Sequence, residues 1–200
     1  MVEILLLSIS FLSSYISFVY TEKVLEKLNK KALTRTQMIL ISIMCAMLFV
    51  ILYEISKSLV LFYECIVSSL LLVLAYIDFK EKVVTDVSLI VMLILALIKV
   101  VFLHTYIDSI FASLIVSLPL LVVSAIYKGS IGNGDIYYLF ILGLICGSYY
   151  IFRIVTLAYT FAFIYSIYLC ISKKGNRKSE IPMLPFFYLS YLSYIVFTIS

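Results

Sequence analysis

The chain has 200 residues, of which 64% are hydrophobic and only 13% charged, and its mean hydropathy is +1.19. A soluble domain carries roughly 45–50% apolar and about 25% charged residues, so the excess of apolar side chains has to face lipid. This excludes a separate globular domain, and basic loops beside anionic lipid account for the net charge of +4 without a nucleic-acid partner.

Apolar runs separated by short polar stretches follow one another along the chain. A crossing needs about 20 apolar residues, and continuous runs of this length favour helices over barrel strands. The predicted spans are 2–20, 37–53, 59–77, 87–103, 109–127, 136–152, 154–171 and 183–199. The first run lacks a basic leading segment and a small-residue cleavage site, so we expect a retained helix. The sequence predicts an all-α membrane protein of about eight transmembrane helices, with residues 1–200 as a single polytopic domain.

The basic residues divide unequally between the two sides of this arrangement. Twelve of the 15 Lys and Arg residues lie on the odd-numbered loops, including the short basic loop 21–36, and three lie on the even side: Lys57, Lys99 and Arg153. The positive-inside rule therefore predicts cytoplasmic odd loops, both termini outside, and a multi-pass protein of the cytoplasmic membrane. Glu64 and Lys99, near outer span ends, are expected to snorkel toward the headgroups, although ionisable residues within spans are also functional candidates.

Two cytoplasmic span ends concentrate residues that are rare elsewhere in the chain. Three of its four aspartates, Asp78, Asp86 and Asp135, lie there, and three of its six glycines cluster just before Asp135. Two facing carboxyls at a membrane boundary share one proton, so one activates water as a base while the other donates to a scissile carbonyl. Gly132 and Gly134 let the backbone take positive φ values and approach an extended substrate strand closely. The pattern predicts peptide hydrolysis by Asp78 and Asp135.

Plainer roles are open for the same residues. Asp78 could be an interfacial cap, Asp135 the N-cap of the sixth helix, and Asp86 the N-cap of the fourth. A small proton- or ion-coupled transporter would also use intramembrane carboxylates, whereas a structural subunit would need none. A phosphate-binding loop is excluded, since no Gly-Lys-Ser/Thr follows the glycines.

Three segments resemble the type IV prepilin peptidase family, membrane aspartyl proteases with a Gly-x-Gly-Asp motif. They are Ile77-Asp78 followed by a basic stretch and Asp86, Gly132-Asn133-Gly134-Asp135-Ile136 with Leu139 and Gly143 downstream, and Ile181-Pro182-Met183-Leu184-Pro185-Phe186. The resemblance implies that Asp78 and Asp135 are the catalytic pair, supported by Gly132, Gly134 and Asp86, with no metal or cofactor. It implies removal of the leader from pilin or pseudopilin precursors at the cytoplasmic membrane face, in pilus assembly, competence or protein secretion.

The chain departs from the family pattern at several places. Thr85 stands where the family usually has Pro, and Tyr137 where it usually has Lys, which affects substrate handling rather than the reaction. Many bacterial members bind zinc through two Cys-x-x-Cys pairs in the first cytoplasmic loop and also methylate their product. Here the loop 21–36 contains no cysteine, and all four cysteines lie in apolar runs. The methyltransferase activity is therefore doubtful for this chain, and neither a zinc site nor a disulfide scaffold is expected.

Overall fold

Helices make up the part of the chain that the structure describes. The structure is a computed structural model that describes residues 35–56, 60–82, 86–127, 132–172 and 181–199, with isolated positions between 8 and 23. The helices are α1 (Arg35–Ser56), α2 (Val60–Glu81), α3 (Asp86–Leu103), α4 (Tyr106–Ile126), α5 (Asn133–Ile171) and α6 (Leu184–Ile199). No strand occurs within these ranges, which confirms the all-α class.

Among the described residues, three helices are long and apolar enough to cross a membrane: α3, α4 and α5. Large apolar side chains on α3 and α4, such as Phe102, Ile107 and Ile126, are exposed, and lipid accommodates such a surface where water does not. The predicted span 2–20 and the basic loop 21–36 lie almost entirely outside the described residues. Each later predicted span falls largely within a described helix, while the count of eight stays a prediction.

The long helix α5 consists of two segments that fold back on each other at Gly147. Gly147 has a φ of 72° and a ψ of 173°, a conformation that glycine adopts far more readily than other residues. The first segment begins at the end of the molecule where α6 begins. Tyr150 then contacts Tyr194 late in α6, whereas Tyr165 contacts Phe186 at the start of α6. The second segment therefore returns antiparallel to α6.

Asp108, at the start of α4, caps the returning segment of α5. The Ser148 N–H donates to Asp108 Oδ2 over 3.2 Å, and the Ser148 hydroxyl donates to Oδ1. A Cβ at position 147 would overlap this carboxylate. The predicted break at Arg153 is therefore wrong, because the chain turns where a glycine and a capping carboxylate coincide. Arg153 lies within the helix, 4.3 Å from the centroid of the Phe197 ring.

Small side chains allow α4 and the first segment of α5 to pack closely. A Cβ on Gly143 would overlap the backbone of Ser113. The buried residues of α4 are all small or of moderate size: Ser109, Ala112, Ser113, Val116 and Ser117. Small residues are the common means by which membrane helices approach one another. This packing holds the first segment of α5, which carries Asp135, against α4.

Two charged residues that were expected at the membrane surface are buried and paired. The ammonium of Lys99 on α3 lies 2.7 Å from the Glu64 carboxylate on α2, and their side chains are 9% and 4% exposed. The expectation that they snorkel toward the headgroups is therefore wrong. Each charge neutralises the other, and this pairing makes buried charges tolerable among apolar helices.

Tyrosines of α6 complete this arrangement. The Tyr191 hydroxyl donates to Glu64 Oε2, and the Tyr194 hydroxyl donates to Glu64 Oε1 over 3.4 Å. The Lys99 ammonium donates to the Tyr194 oxygen over 3.0 Å and lies 5.3 Å from the centroid of the Tyr63 ring. We call Glu64, Lys99, Tyr191 and Tyr194 the ionic cluster, and it binds α2, α3 and α6 together.

Replacing Lys99 by Met is expected to lower the free energy of unfolding by about 3–5 kcal/mol, because it leaves the buried Glu64 charge without its partner. Unfolding in detergent, followed by circular dichroism during titration with a denaturing detergent, measures this loss. The double variant with Glu64→Gln and Lys99→Met removes both charges and keeps an acceptor for Tyr191, so it should recover most of the stability. A double variant no more stable than Lys99→Met would contradict this interpretation.

Candidate active site

Asp78 is buried near the end of α2, with its side chain 5% exposed. The helix ends three residues later, at Glu81, and the Lys82 N–H donates to the Asp78 carbonyl oxygen over 2.9 Å. Lys82 has a φ of 52°, the left-handed conformation in which many helices end. In this position the Lys82 ammonium favours the charged form of the Asp78 carboxyl. The end of α2 thus provides both a carboxylate and a nearby cation.

The Asp78 carboxylate caps α6 from the neighbouring helix. The N–H of Leu184, the first residue of α6, donates to Asp78 Oδ2 over 3.0 Å, and the Met183 N–H also interacts with this carboxylate. The first N–H groups of a helix have no partner within it, and the helix dipole favours a negative charge there. The Pro-containing segment 181–186 therefore forms one wall of the site. The sequence did not reveal this pairing, since the two residues are 106 positions apart.

Asp135 is the third residue of α5 and not its N-cap, so that simpler role is wrong. The N-cap is Gly132, whose carbonyl oxygen accepts from the Asp135 N–H over 3.1 Å. Gly132 has a φ of −66° and a ψ of 130°, and Gly134 lies within the helix without positive φ. Neither glycine therefore uses the positive φ that its missing side chain permits. Gly132 provides space instead, because a Cβ there would lie 3.3 Å from Asp135 Oδ2.

The two carboxyls lie at helix ends, just outside the predicted apolar spans, and they interact electrostatically. Burial, and in second place the charge of Asp78, raises the pKa of Asp135 to about 7. Burial also raises the pKa of Asp78, whereas the N–H groups at the start of α6 and the Lys82 ammonium act in the opposite direction. Two carboxyls in one buried place hold a proton between them more easily than two charges. The arrangement is therefore suited to acid–base chemistry.

A buried hydrogen bond between Tyr138 of α5 and Ser88 of α3 supports the site, and the sequence did not predict it. The two hydroxyl oxygens are 3.0 Å apart, and both side chains are buried. Tyr138 lies one turn after Asp135, and its hydroxyl is close enough to Asp78 to interact with its charge. The bond holds the start of α3 against the start of α5. Apolar periodicity does not indicate which two hydroxyls meet, so no local signal could have identified this pair.

Asp86 lies at the first position of α3, where its side chain is exposed. In the described part of the chain no contact joins it to Asp78 or Asp135. Within the same residues, no three His, Cys, Asp or Glu side chains group as metal ligands. The site as described consists of the buried Asp78 carboxyl, the partly buried Asp135 carboxyl and their neighbours.

Comparison with known proteins gives one match. A family model described as the type IV leader peptidase family matches residues 65–167, just over half of the chain. The matched segment includes Asp78, Asp135 and the glycine pattern before Asp135. No curated protein and no solved structure was found to match the chain.

Asp78→Asn is expected to lower the pKa of Asp135, because it removes the neighbouring negative charge and leaves the burial unchanged. Infrared titration in detergent, following the carboxyl stretching band, should show a midpoint near pH 7 in the unmodified protein and a lower midpoint in the variant. Asp108→Asn is the matched control, since Asp108 binds Ser148, at the far end of the first segment of α5 from Asp135. Equal midpoints in all three proteins would show that the two carboxyls do not interact.

Proposed function

The chain belongs to the type IV leader peptidase family, and from that premise we propose that it is a membrane aspartic endopeptidase whose catalytic pair is Asp78 and Asp135. Its proposed substrates are pilin or pseudopilin precursors, from which it removes the leader. The observation that carries this proposal is that Asp78 is buried and Asp135 partly buried at one end of the helices, where burial and, in second place, the charge of Asp78 raise the pKa of Asp135. An aspartic peptidase needs such a pair.

In the proposed reaction, one carboxylate takes a proton from a water molecule while the water oxygen bonds to the scissile carbonyl carbon. The other carboxyl donates its proton to the carbonyl oxygen, which gives a tetrahedral diol. When the carbon–nitrogen bond breaks, a diol hydroxyl returns its proton to the second carboxyl. The first carboxyl passes its proton to the leaving nitrogen. Both groups therefore end in the state in which they began.

The position of the pair suits a precursor that has its leader in the cytoplasm and an apolar helix in the membrane. Asp78 and Asp135 lie where apolar stretches end, so a bond between leader and helix would meet them at that depth. A Cβ at Gly132 would lie 3.3 Å from Asp135 Oδ2, so glycine at this position is proposed to leave room for a substrate backbone to approach Asp135. Gly134 and Asp86 are proposed to support the two loops. Pilins, competence pseudopilins and secretion pseudopilins share this chemistry, and the proposal covers the class.

We also propose eight spans, with both termini outside and the aspartate pair at the cytoplasmic face of the cytoplasmic membrane. The unequal division of the 15 basic residues supports this orientation. The return of α5 at Gly147 supports two crossings within that helix. The loops next to Asp78 and Asp135 are then cytoplasmic, on the side where a precursor carries its leader.

No described feature supports the alternative of an ion-coupled transporter. Such proteins bind ions near the bilayer midplane on interrupted helices. Here Asp78 and Asp135 lie at helix ends, and the buried charges of Glu64 and Lys99 neutralise each other.

Asp78→Asn and Asp135→Asn are each expected to slow leader removal more than about 100-fold, because general acid or base catalysis contributes typically 10²–10⁴-fold. The measurement is the size shift of a co-expressed prepilin on a gel, with the variants present at the unmodified level in membranes. Asp108→Asn, beside Ser148 and away from the pair, is the matched substitution and should cleave normally. Complete cleavage by either Asp78→Asn or Asp135→Asn would overturn the assignment of the pair.

The orientation predicts a difference between two exposed positions, His104 and Tyr127. In a variant without native cysteines, His104→Cys should react with a membrane-impermeant maleimide in intact cells, because the loop between α3 and α4 faces outward. Tyr127→Cys should react only after the cells are permeabilised. The reverse pattern would place the aspartate pair outside the cell and contradict the proposed topology.

A further inference from the structure

The two carboxyls of the proposed catalytic pair have different main-chain surroundings. Asp78 Oδ2 accepts a hydrogen bond from the Leu184 N–H over 3.0 Å, and this contact is buried. Among the described residues, no main-chain N–H donates to the Asp135 carboxyl, although Asp135 lies in the first turn of its own helix. The pair is therefore asymmetric.

A main-chain N–H discriminates between the two states of a carboxyl because it can only donate. It stabilises a carboxylate oxygen, and at the start of a helix the aligned peptide dipoles add to this effect. It cannot accept a hydrogen bond from the O–H of a carboxylic acid. The contact from Leu184 therefore favours a negative charge on Asp78 and gives no such support to Asp135.

We propose that the amino end of α6 is a positioning element of the active site: through the Leu184 N–H it fixes Asp78 as the ionised base and leaves the shared proton on Asp135. This rests on the proposed function and deepens it. In the hydrolysis described above, the water proton goes to Asp78, and the carbonyl oxygen takes the proton of Asp135. On collapse of the diol, Asp135 regains a proton and Asp78 delivers one to the leaving nitrogen.

Other groups that face the pair agree with this direction. On α2, the Lys82 ammonium favours the charged form of Asp78. On α5, the Tyr138 hydroxyl interacts with Asp78, and the Tyr159 hydroxyl of the returning segment interacts with Asp135. Both hydroxyls are neutral donors or acceptors, so the described cation and main-chain donors act on Asp78 alone.

Packing of buried side chains at the start of α6 holds the Leu184 N–H in place. The side chains of Leu184 and Phe187 are 1% and 0% exposed. Further along α6, the Tyr191 hydroxyl donates to Glu64 of α2. Since α6 contacts α2 both at Asp78 and at Glu64, the Leu184 N–H cannot turn away from Asp78 without disrupting these contacts.

Leu184→Pro removes this N–H at the first helical residue, the position where helices tolerate Pro best. Leu184→Ala is its matched control, since it also loses the buried side chain but keeps the N–H. Cleavage needs ionised Asp78, so the rate rises with pH through the pKa of Asp78 and falls as Asp135 loses its proton. Loss of a donor to a charged group should raise the pKa of Asp78 and move the acid limb of kcat/KM upward by about one pH unit. Leu184→Ala should keep that limb at the original pH.

An acid limb that does not move in an active Leu184→Pro variant, or that moves equally in Leu184→Ala, would overturn the inference. If Asp78→Asn still abolishes cleavage, the proposed function survives that failure. An unmodified protein that cleaves no prepilin would overturn both.

A second measurement does not depend on the folding of Leu184→Pro. In protein labelled with ¹⁵N-leucine, the Leu184 amide resonance is assigned by its disappearance in Leu184→Ala. The Leu184 N–H donates to Asp78, so the chemical shift of this amide proton should change with the lower of the two carboxyl titrations. It should not follow the titration near pH 7, which belongs to Asp135. A shift that follows only the higher titration would place the proton on Asp78 and overturn the inference.

Discussion

Burial of charge among apolar helices is the constraint on which the rest of the structure depends. A charged group in such surroundings has to meet an opposite charge or hydrogen-bond donors, or else it changes its protonation state. Glu64 meets Lys99 and the Tyr191 hydroxyl, and Asp78 meets the Leu184 N–H. The ion pair joins two consecutive helices, and the contacts of Tyr191 and Leu184 join α6 to the distant α2. The neutralisation of charge therefore also fixes how the helices pack.

Asp135 differs from these residues, and the difference gives the site its proposed chemistry. Burial and the charge of Asp78 raise its pKa to about 7, and no main-chain donor in the described residues offsets them. It therefore keeps its proton to a higher pH than an exposed aspartate does. A protonated carboxyl next to an ionised one is an acid next to a base. The constraint that stabilises the fold at Glu64 thus raises the pKa of Asp135, the proposed acid of the site.

The parts of this molecule that follow from local composition could be predicted from the sequence. Apolar runs located the helices, and the rarity of aspartate and glycine drew attention to both carboxyls of the site. The failures concern contacts between distant segments. Glu64 and Lys99 were expected at the headgroups because each charge, considered alone, favours them, and the partner lies on another helix. The break in α5 was expected at Arg153, whereas Gly147 and the capping carboxylate of α4 determine it.

One helix, α6, connects the two places where charge is buried against α2. At its start the Leu184 N–H binds Asp78, and later Tyr191 binds Glu64. Along α2, Asp78 and Glu64 are separated by about 21 Å at 1.5 Å per residue. A helix attached to its neighbour at two such levels can neither slide nor rotate independently of it. The ionic cluster therefore contributes to the geometry of the site from the opposite half of the bundle, since it fixes the helix whose first N–H groups hold the charge on Asp78.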